Sequence, residues 1–227
     1  MTSREEELRA NVNSVRERIA RAAERAGRIS EEITLVAVTK TYPVSDVEIL
    51  HNLGIEDFAE NRDNEGKEKS AVVSARWHYQ GQIQSNKISS IARWASVVHS
   101  LDNARHARLL ANAVADSKIL SVFIQVSLDP QPGRGGIVAQ DLSPLAELVL
   151  SDPRLRLEGL MAVAPLGEDP QSAFERLAQI HSVFRQEFPS AASLSAGMSG
   201  DFEVAIEHGA THVRIGSSIL GSRPHLG

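Results

Sequence analysis

The residues best suited to chemistry are one lysine in the first quarter of the chain and two glycine and serine turns near its end. Lys40 follows the apolar run 35–39, a pattern that predicts a buried β-strand and therefore an amine at the edge of a sheet. The segments 196–199 and 214–218 each combine glycine with serine, as phosphate-binding turns between a strand and a helix do. These residues predict a site in which a reactive amine faces a phosphate.

The reactivity of Lys40 depends on its pKa. An amine attacks a carbonyl carbon only in its neutral form, whereas an ordinary lysine has a pKa of about 10.4. Removal from water or a neighbouring cation would lower that pKa, and Arg214 is the candidate cation. Simpler interpretations remain open at this point: Lys40 can be solvated or salt-bridged, Arg214 can belong to a structural ion pair, and each turn can be an ordinary helix beginning.

Composition narrows the class of protein. The chain has 227 residues and a formal charge of −5, and it contains no long block of lysine and arginine, so nucleic acid is not an expected partner. Cysteine is absent, which excludes disulfides and thiolate metal sites. The charged N-terminus does not resemble a signal peptide, and no apolar stretch reaches the roughly 18 residues that a membrane span needs. We expect a cytoplasmic protein without a membrane partner.

Short apolar runs alternate with segments of helical periodicity, as in a parallel sheet whose strands are joined by helices. The simplest closed arrangement is an α/β fold, a (β/α)₈ TIM barrel, with residues 1–227 forming one domain. The eight predicted strands are 35–40, 57–60, 76–79, 96–99, 120–126, 157–163, 193–196 and 212–215.

Several helix boundaries can also be predicted. An extra helix at the N-terminus presents one apolar face, formed by Leu8, Val12, Val15 and Ile19. The segment 45–48 fits a capping box in which Ser45 and Glu48 begin the helix after the Lys40 strand. Pro144 suits the first position of a later helix, and Asp201 suits a helix cap.

The predicted barrel brings the chemical residues together. Strand ends converge at the carboxyl edge of such a barrel, and phosphates commonly bind in the loops after strands seven and eight, where both turns lie. Gly197 and Gly216 would allow the backbone to approach an anion closely. An amine opposite a phosphate site is what pyridoxal 5′-phosphate (PLP) requires, because this cofactor binds lysine as a Schiff base. A barrel that binds another phosphorylated metabolite without an imine remains open.

Five motifs in order along the chain carry a family resemblance. They are LVAVTK at 35–40, ENR at 60–62, QIQSNK at 82–87, LSAGMSGD at 194–201 and VRIGSSILG at 213–221. Together they closely resemble the pyridoxal phosphate homeostasis protein family, single-domain relatives of the alanine racemase N-terminal barrel. The resemblance implies that Lys40 is the Schiff-base lysine and that Asn61 lies near the cofactor hydroxyl. It places the remaining cofactor-binding residues at Met198, Ser199, Arg214, Gly216 and Ser217.

The resemblance also implies a function. We expect a monomeric, non-enzymatic protein that buffers or delivers PLP inside the cell, with apo forms of PLP-dependent enzymes as possible recipients. The alternative is an amino-acid racemase, which needs proton donors on both faces of the substrate, and Tyr42 or Tyr79 could supply one of them. For the non-enzymatic protein, no catalytic residue is predicted. No metal site is predicted either, because His78, His99 and His212 lack the spacing of metal ligands.

Three further positions bear on the functional prediction. Many family members carry a lysine in the loop after strand five, where this chain has Arg134, so a transfer role that needs a second reactive lysine there is in doubt. Lys87 is another amine, but its position favours a surface residue at the beginning of a helix. Gln80 stands where an aliphatic residue is usual.

Overall fold

The computed structural model describes residues 3–129 and 135–221. Eight parallel strands form a closed barrel in chain order, which confirms the predicted (β/α)₈ fold with its additional N-terminal helix. The strands are β1 (Thr34–Val38), β2 (Asp57–Glu60), β3 (Arg76–Tyr79), β4 (Val97–Leu101), β5 (Leu120–Gln125), β6 (Leu155–Met161), β7 (Ser193–Ser195) and β8 (His212–Ile215).

Helices surround the barrel. They are α1 (Arg4–Arg25), α2 (Val44–Asn52), α3 (Asp63–Val72), α4 (Ile88–Trp94), α5 (Ala104–Ala113), α6 (Leu142–Leu150), α7 (Pro170–Glu187), α8 (Phe202–Glu207) and α9 (Ser217–Leu220). A capping box between Ser3 and Glu6 begins α1, whose predicted apolar face is buried against α8 and α9. Among the described residues, no helix is long and apolar enough to cross a membrane.

The strands alternate between two environments. Phe58 faces the continuous core between the barrel and its helices, together with Leu50 and Ile91. The barrel interior holds two small apolar groups, one of them formed by Val36, Val38 and Ala59. Because interior and exterior residues alternate along each strand, the same strands can bury a helix layer and still position polar side chains inside the barrel.

The end of β1 differs from the prediction in a way that matters for the site. β1 ends at Val38, and Thr39 makes one last ladder bond, from its amide to the carbonyl of Ala59 at 3.1 Å. Lys40 therefore lies two residues beyond the strand, in a turn that the bond from Tyr42 N–H to Thr39 O closes. Apolar pattern alone extended the strand because Thr39 is buried like its predecessors.

Two predicted helix beginnings are misplaced, at Ser45 and Pro144, and a third, at Asp201, has the predicted position without the expected side-chain bond. Helix α2 begins after Pro43, so Ser45 lies inside the helix and caps nothing. Pro144 is the third residue of α6, a position equally tolerant of proline because first-turn amides have no helical partner. Asp201 does stand at the cap position of α8, but its side chain accepts the amide of Met198 at 2.6 Å instead of a helix amide.

Candidate functional site

A cavity of about 280 Å³ lies at the carboxyl edge of the barrel, between the turns that follow β1, β7 and β8. All of the predicted binding residues except Asn61 line it. The described residues that line it are Val38, Lys40, Tyr42, Gln80, Met198, Ser199, Gly200, Arg214, Gly216, Ser217 and Gly221. The fold therefore places the lysine of the first strand turn and the glycine and serine turns of the last two strands around one space.

The turns after β7 and β8 contribute residues with unpaired backbone amides to the lining of this cavity. Ser199, Gly200, Gly216 and Ser217 all line it, and within the described ranges their amide groups have no hydrogen-bond acceptor. The two turns are joined by the bond from Ser218 N–H to Ser199 Oγ at 3.2 Å. Unpaired amides converging on a small space form a suitable site for an anion.

Met198, another predicted binding residue, lines the cavity at its rim. Its amide already donates to Asp201 Oδ1, and its side chain is 42% exposed at the rim of the cavity. Gly197, just before it, has a φ of +91°. A Cβ at that position would lie 2.7 Å from Ala205 Cβ and from Phe202 Cα, so the turn can pack this closely on α8 only with glycine.

Arg214 is a buried cation that lines the cavity. Its Nη1 donates to Ser195 Oγ at 2.6 Å and its Nη2 donates to Ala162 O at 3.0 Å. Burial lowers its pKa to about 10, so the guanidinium stays charged at neutral pH. None of the ion pairs within residues 3–129 and 135–221 includes Arg214. The carboxylate of Asp201 attracts Arg214 without forming an ion pair with it. Because a buried charge is costly, an anion in the cavity would stabilise this cation further.

A chain of hydrogen bonds runs from Arg214 down the barrel interior. Ser195 Oγ lies 2.8 Å from His99 Nδ1, His99 Nε2 lies 2.7 Å from His78 Nδ1, and His78 Nε2 lies 2.8 Å from Asp57 Oδ1. Burial holds the pKa of His99 well below its ordinary value and also lowers that of His78, so both rings are neutral. Since a carboxylate only accepts, each group must donate to the next, from Arg214 to Asp57.

The three histidines thus have hydrogen-bonding and packing positions. His212 lies beside this chain with its ring edge toward Phe123, and burial lowers its pKa to about 4. In the described part of the chain, no group of three or more histidine, cysteine, aspartate or glutamate side chains could hold a metal ion.

The remaining predicted residues lie at various distances from the cavity. Asn61 does not line it, but its Oδ1 accepts a bond at 2.9 Å from Gln80, which does. The hydroxyl of Tyr42, another lining residue, donates to Gly221 O at 2.8 Å. Lys87 is exposed at the end of a short 3₁₀ helix. Arg134 lies outside the described residues.

Sequence reasoning missed a charged cluster of helix α3 behind the Lys40 turn. Lys69 Nζ donates to Glu60 Oε1 at 2.6 Å and to Thr39 O at 2.8 Å. Glu65 Oε2 accepts the amide of Thr41 at 2.7 Å. The spacing of Glu65 and Lys69 on one helix face was visible in the sequence, but nothing local indicated that this face meets the β1 turn.

A wider cleft of about 770 Å³ lies at the opposite, amino edge of the barrel, where Arg28, His181 and Arg185 are among its lining residues. None of the predicted site residues reaches it. Functional sites of such barrels lie at the carboxyl edge, so the smaller cavity is the candidate.

The fold and the cavity define a parallel barrel with a lysine at the first strand and anion-binding turns at the last two. The family of the alanine racemase N-terminal domain matches residues 7–224. A pyridoxal phosphate homeostasis protein of Corynebacterium glutamicum is 42% identical over 201 residues, which cover 85% of this chain and 91% of that protein. Its counterpart in Mycobacterium tuberculosis H37Rv is 40% identical over 243 residues, with coverages of 97% and 94%.

A solved structure of PipY from Synechococcus elongatus, with PLP bound, superposes with a TM-score of 0.78 at 28% identity. The match covers 89% of this chain and all of that one, 100%. The chain therefore belongs to the alanine racemase N-terminal domain family and, within it, to the pyridoxal phosphate homeostasis proteins. The family predicted from the five motifs is confirmed.

Proposed function

We propose that this protein binds PLP in the carboxyl-edge cavity, holds it as a Schiff base on Lys40 and acts in PLP homeostasis. The observation that carries the proposal is that Lys40 lines the same cavity as Arg214, a buried cation that forms no ion pair within the described residues. PLP is both an aldehyde and a phosphate ester, so its aldehyde can react with Lys40 while its phosphate pairs with Arg214. The PLP-bound structure of PipY and the names of the curated relatives support the same cofactor.

Each residue then has a defined task. The neutral amine of Lys40 condenses with the cofactor aldehyde, forming a C=N bond and releasing water. The amides of Ser199, Gly200, Gly216 and Ser217 bind the phosphate, and Ser199 Oγ fixes the two turns together. Arg214 supplies the positive charge, held in place by Ser195 and Ala162. Asn61 acts through Gln80 on the hydroxyl side of the cavity.

A non-enzymatic role fits the lining of the cavity. Of its described lining residues, only Lys40, Tyr42 and Arg214 carry ionisable side chains. Proton transfer at a substrate carbon needs an acid and a base on opposite faces. Arg214 is occupied as a donor to Ser195 and Ala162, and the hydroxyl of Tyr42 already donates to Gly221 O. We therefore assign the protein to storage or delivery of the cofactor, as a cytoplasmic monomer with apo PLP-dependent enzymes as its recipients. Light scattering of the purified protein tests the monomer.

The second candidate function is amino-acid racemisation, which Tyr42 favours because it lines the cavity together with Lys40. The hydroxyl of Tyr42 donates to Gly221 O, a bond that a catalytic phenol would have to give up. Exchange of amino-acid α-protons in deuterated water separates the two functions. Turnover that disappears in both Lys40→Ala and Tyr42→Phe would establish the racemase and reject the non-enzymatic assignment.

Titration of the apo protein with PLP tests the binding proposal. We expect a new absorbance band from the protein-bound Schiff base in the wild type and in Lys87→Ala, which removes an exposed lysine as a control. Lys40→Ala should show no such band. Equal bands in the wild type and Lys40→Ala would reject Lys40 as the attachment site.

A further inference from the structure

The turn that carries Lys40 has an unfavourable backbone conformation. Thr41 has a φ of +70°, and among the described residues it is the one non-glycine residue with a positive φ. This conformation is disfavoured for L-residues and especially for β-branched side chains such as threonine. Surrounding contacts must therefore hold it, and strained residues that persist this way are concentrated at functional sites.

Helix α3 supplies those contacts on both sides of Lys40. The carboxylate of Glu65 accepts the amide of Thr41 at 2.7 Å, and the ammonium of Lys69 donates to the carbonyl of Thr39 at 2.8 Å. The two side chains also contact each other at 3.4 Å, one helical turn apart. The residues immediately before and after Lys40 are thus tied to one helix face by charged groups.

The charged state of this cluster follows from its contacts. Burial by itself would raise the pKa of Glu65, but the Thr41 amide and Lys69 outweigh it, so the pKa lies below its ordinary value. Glu65 is therefore an anion at neutral pH and makes a charge-assisted bond to the turn. Such bonds are about twice as strong as those between neutral groups.

Fold stability alone explains this cluster poorly. Lys69 is only 4% exposed and Glu60 is 0% exposed, and Glu60 Oε2 has no hydrogen-bond partner within the described ranges. Buried ion pairs with an unsatisfied oxygen add little stability relative to apolar side chains of similar size. The cluster instead fixes the position of the turn that carries Lys40.

Resting on the proposed function of Lys40, we propose that Glu65 and Lys69 are positioning residues for the Schiff-base lysine. They hold Thr39 and Thr41 so that the amine of Lys40 projects from a strained turn into the cavity. Neither side chain lines the cavity, so both act through the backbone on each side of Lys40. Loss of either contact lets Thr41 relax to a negative φ, and the amine of Lys40 then turns away from the cofactor aldehyde.

The test measures PLP affinity by absorbance titration and apo stability by urea unfolding for a set of variants. Glu65→Ala and Lys69→Met should each weaken PLP binding roughly tenfold, the value of one charge-assisted hydrogen bond. Glu65→Gln keeps an acceptor for the Thr41 amide and should stay within about threefold of the wild type. Glu68→Ala removes an exposed carboxylate of the same helix and should leave affinity unchanged.

A double substitution separates positioning from general structural support. Glycine accepts a positive φ without strain, so in a Thr41→Gly background the turn needs less support from α3. In the Thr41→Gly background, Glu65→Ala should reduce the affinity for PLP by less than about threefold. The two substitutions would then be non-additive in a double-mutant cycle, as expected for residues that act on the same turn. Equal losses in both backgrounds would overturn the positioning role. If Glu65→Ala does not fold, Lys69→Met is compared in the same two backgrounds with the same two outcomes.

The failure of this inference is distinguishable from failure of the proposed function. A wild type that binds PLP on Lys40, with Glu65→Ala and Lys69→Met equally tight, contradicts only the positioning role. A wild type that forms no Schiff base contradicts the proposed function itself.

Discussion

The two walls of the cavity are built in different ways. The anion wall, which comprises residues 197–201 and 216–218, presents backbone amides and relies on a glycine at a φ of +91°. The amine wall, residues 39–41 with Lys40 at its centre, holds a threonine at a φ of +70° by charged side chains of α3. In the proposed site, phosphate would be bound by backbone amides, which all residues except proline possess. The amine of Lys40 must instead be held in one direction, and this requires particular side chains.

Adding a side chain to the anion wall should have the largest effect on stability. Gly197→Ala should destabilise the fold by about 4 kcal/mol, from overpacking against α8 together with the cost of a positive φ. Urea unfolding measures the change. Gly209→Ala is the matched control, because Gly209 has a φ of +94° with no atom within 4 Å of an added Cβ. It should lose only about 1–2 kcal/mol, and equal losses would contradict the packing argument.

Acid should weaken the barrel interior beneath both walls. Burial lowers the pKa of His212 to about 4, so the unfolded chain binds this proton more readily than the folded protein does. The contribution of neutral His212 to the free energy of unfolding is fully present above pH ~6.5 and is lost as the pH falls toward 4. The total loss is on the order of 3 kcal/mol. Urea unfolding across this range in wild type and His212→Leu gives the measurement. The variant should show a shallower pH dependence, and an unchanged slope would exclude His212 as a source.

Removing the cation of the anion wall should have a smaller effect, and mainly one on binding. Arg214→Met is expected to weaken PLP affinity by about 2 kcal/mol, roughly thirtyfold, through loss of a charged hydrogen-bond donor. The variant removes a buried charge that forms no ion pair among the described residues, but it also loses the bonds to Ser195 and Ala162. These effects oppose each other, so the stability of the apo protein should change by no more than about 1 kcal/mol. Binding titrations and urea unfolding of the same sample check both statements. A loss of stability without a loss of affinity would reverse the assignment.

The smallest effect is expected from a glycine at position 41, in the amine wall. Thr41→Gly should stabilise the apo fold by about 0.5 kcal/mol, because relief of the positive φ slightly exceeds the added chain entropy of glycine. Glycine is thus favourable for stability in the amine wall, where the protein has threonine, and indispensable in the anion wall. Unfolding of the apo variant by urea is the measurement, and a clear destabilisation would show that Thr41 is not strained.

Local sequence patterns predicted the barrel and much of the cavity. Apolar runs placed all eight strands, and Gly197, Gly216 and the serines identified the anion wall, because turn chemistry is encoded within a few residues. Lys40 was found for the same reason, as the polar end of an apolar run. The error of two residues at the end of β1 arose because Thr39 is buried without being in the strand.

Contacts between distant segments were not predictable in this way. Glu65 and Lys69 lie on a helix with a weak apolar pattern, and only the closed barrel shows that they face Thr39 and Thr41. The chain from Arg214 to Asp57 joins residues on several strands, which no spacing along the sequence reveals. Helix caps failed where proline or a neighbouring loop amide took the place of the expected side-chain bond.

Chemical trapping tests the central claim most directly. The protein is saturated with PLP, reduced with borohydride to fix any C=N bond, digested and mapped by mass spectrometry. We expect a single modified residue, Lys40, with Lys69 and Lys87 unmodified in the same sample. Modification of another lysine, or no modification despite bound PLP, would contradict the assignment of Lys40 as the residue that holds the cofactor.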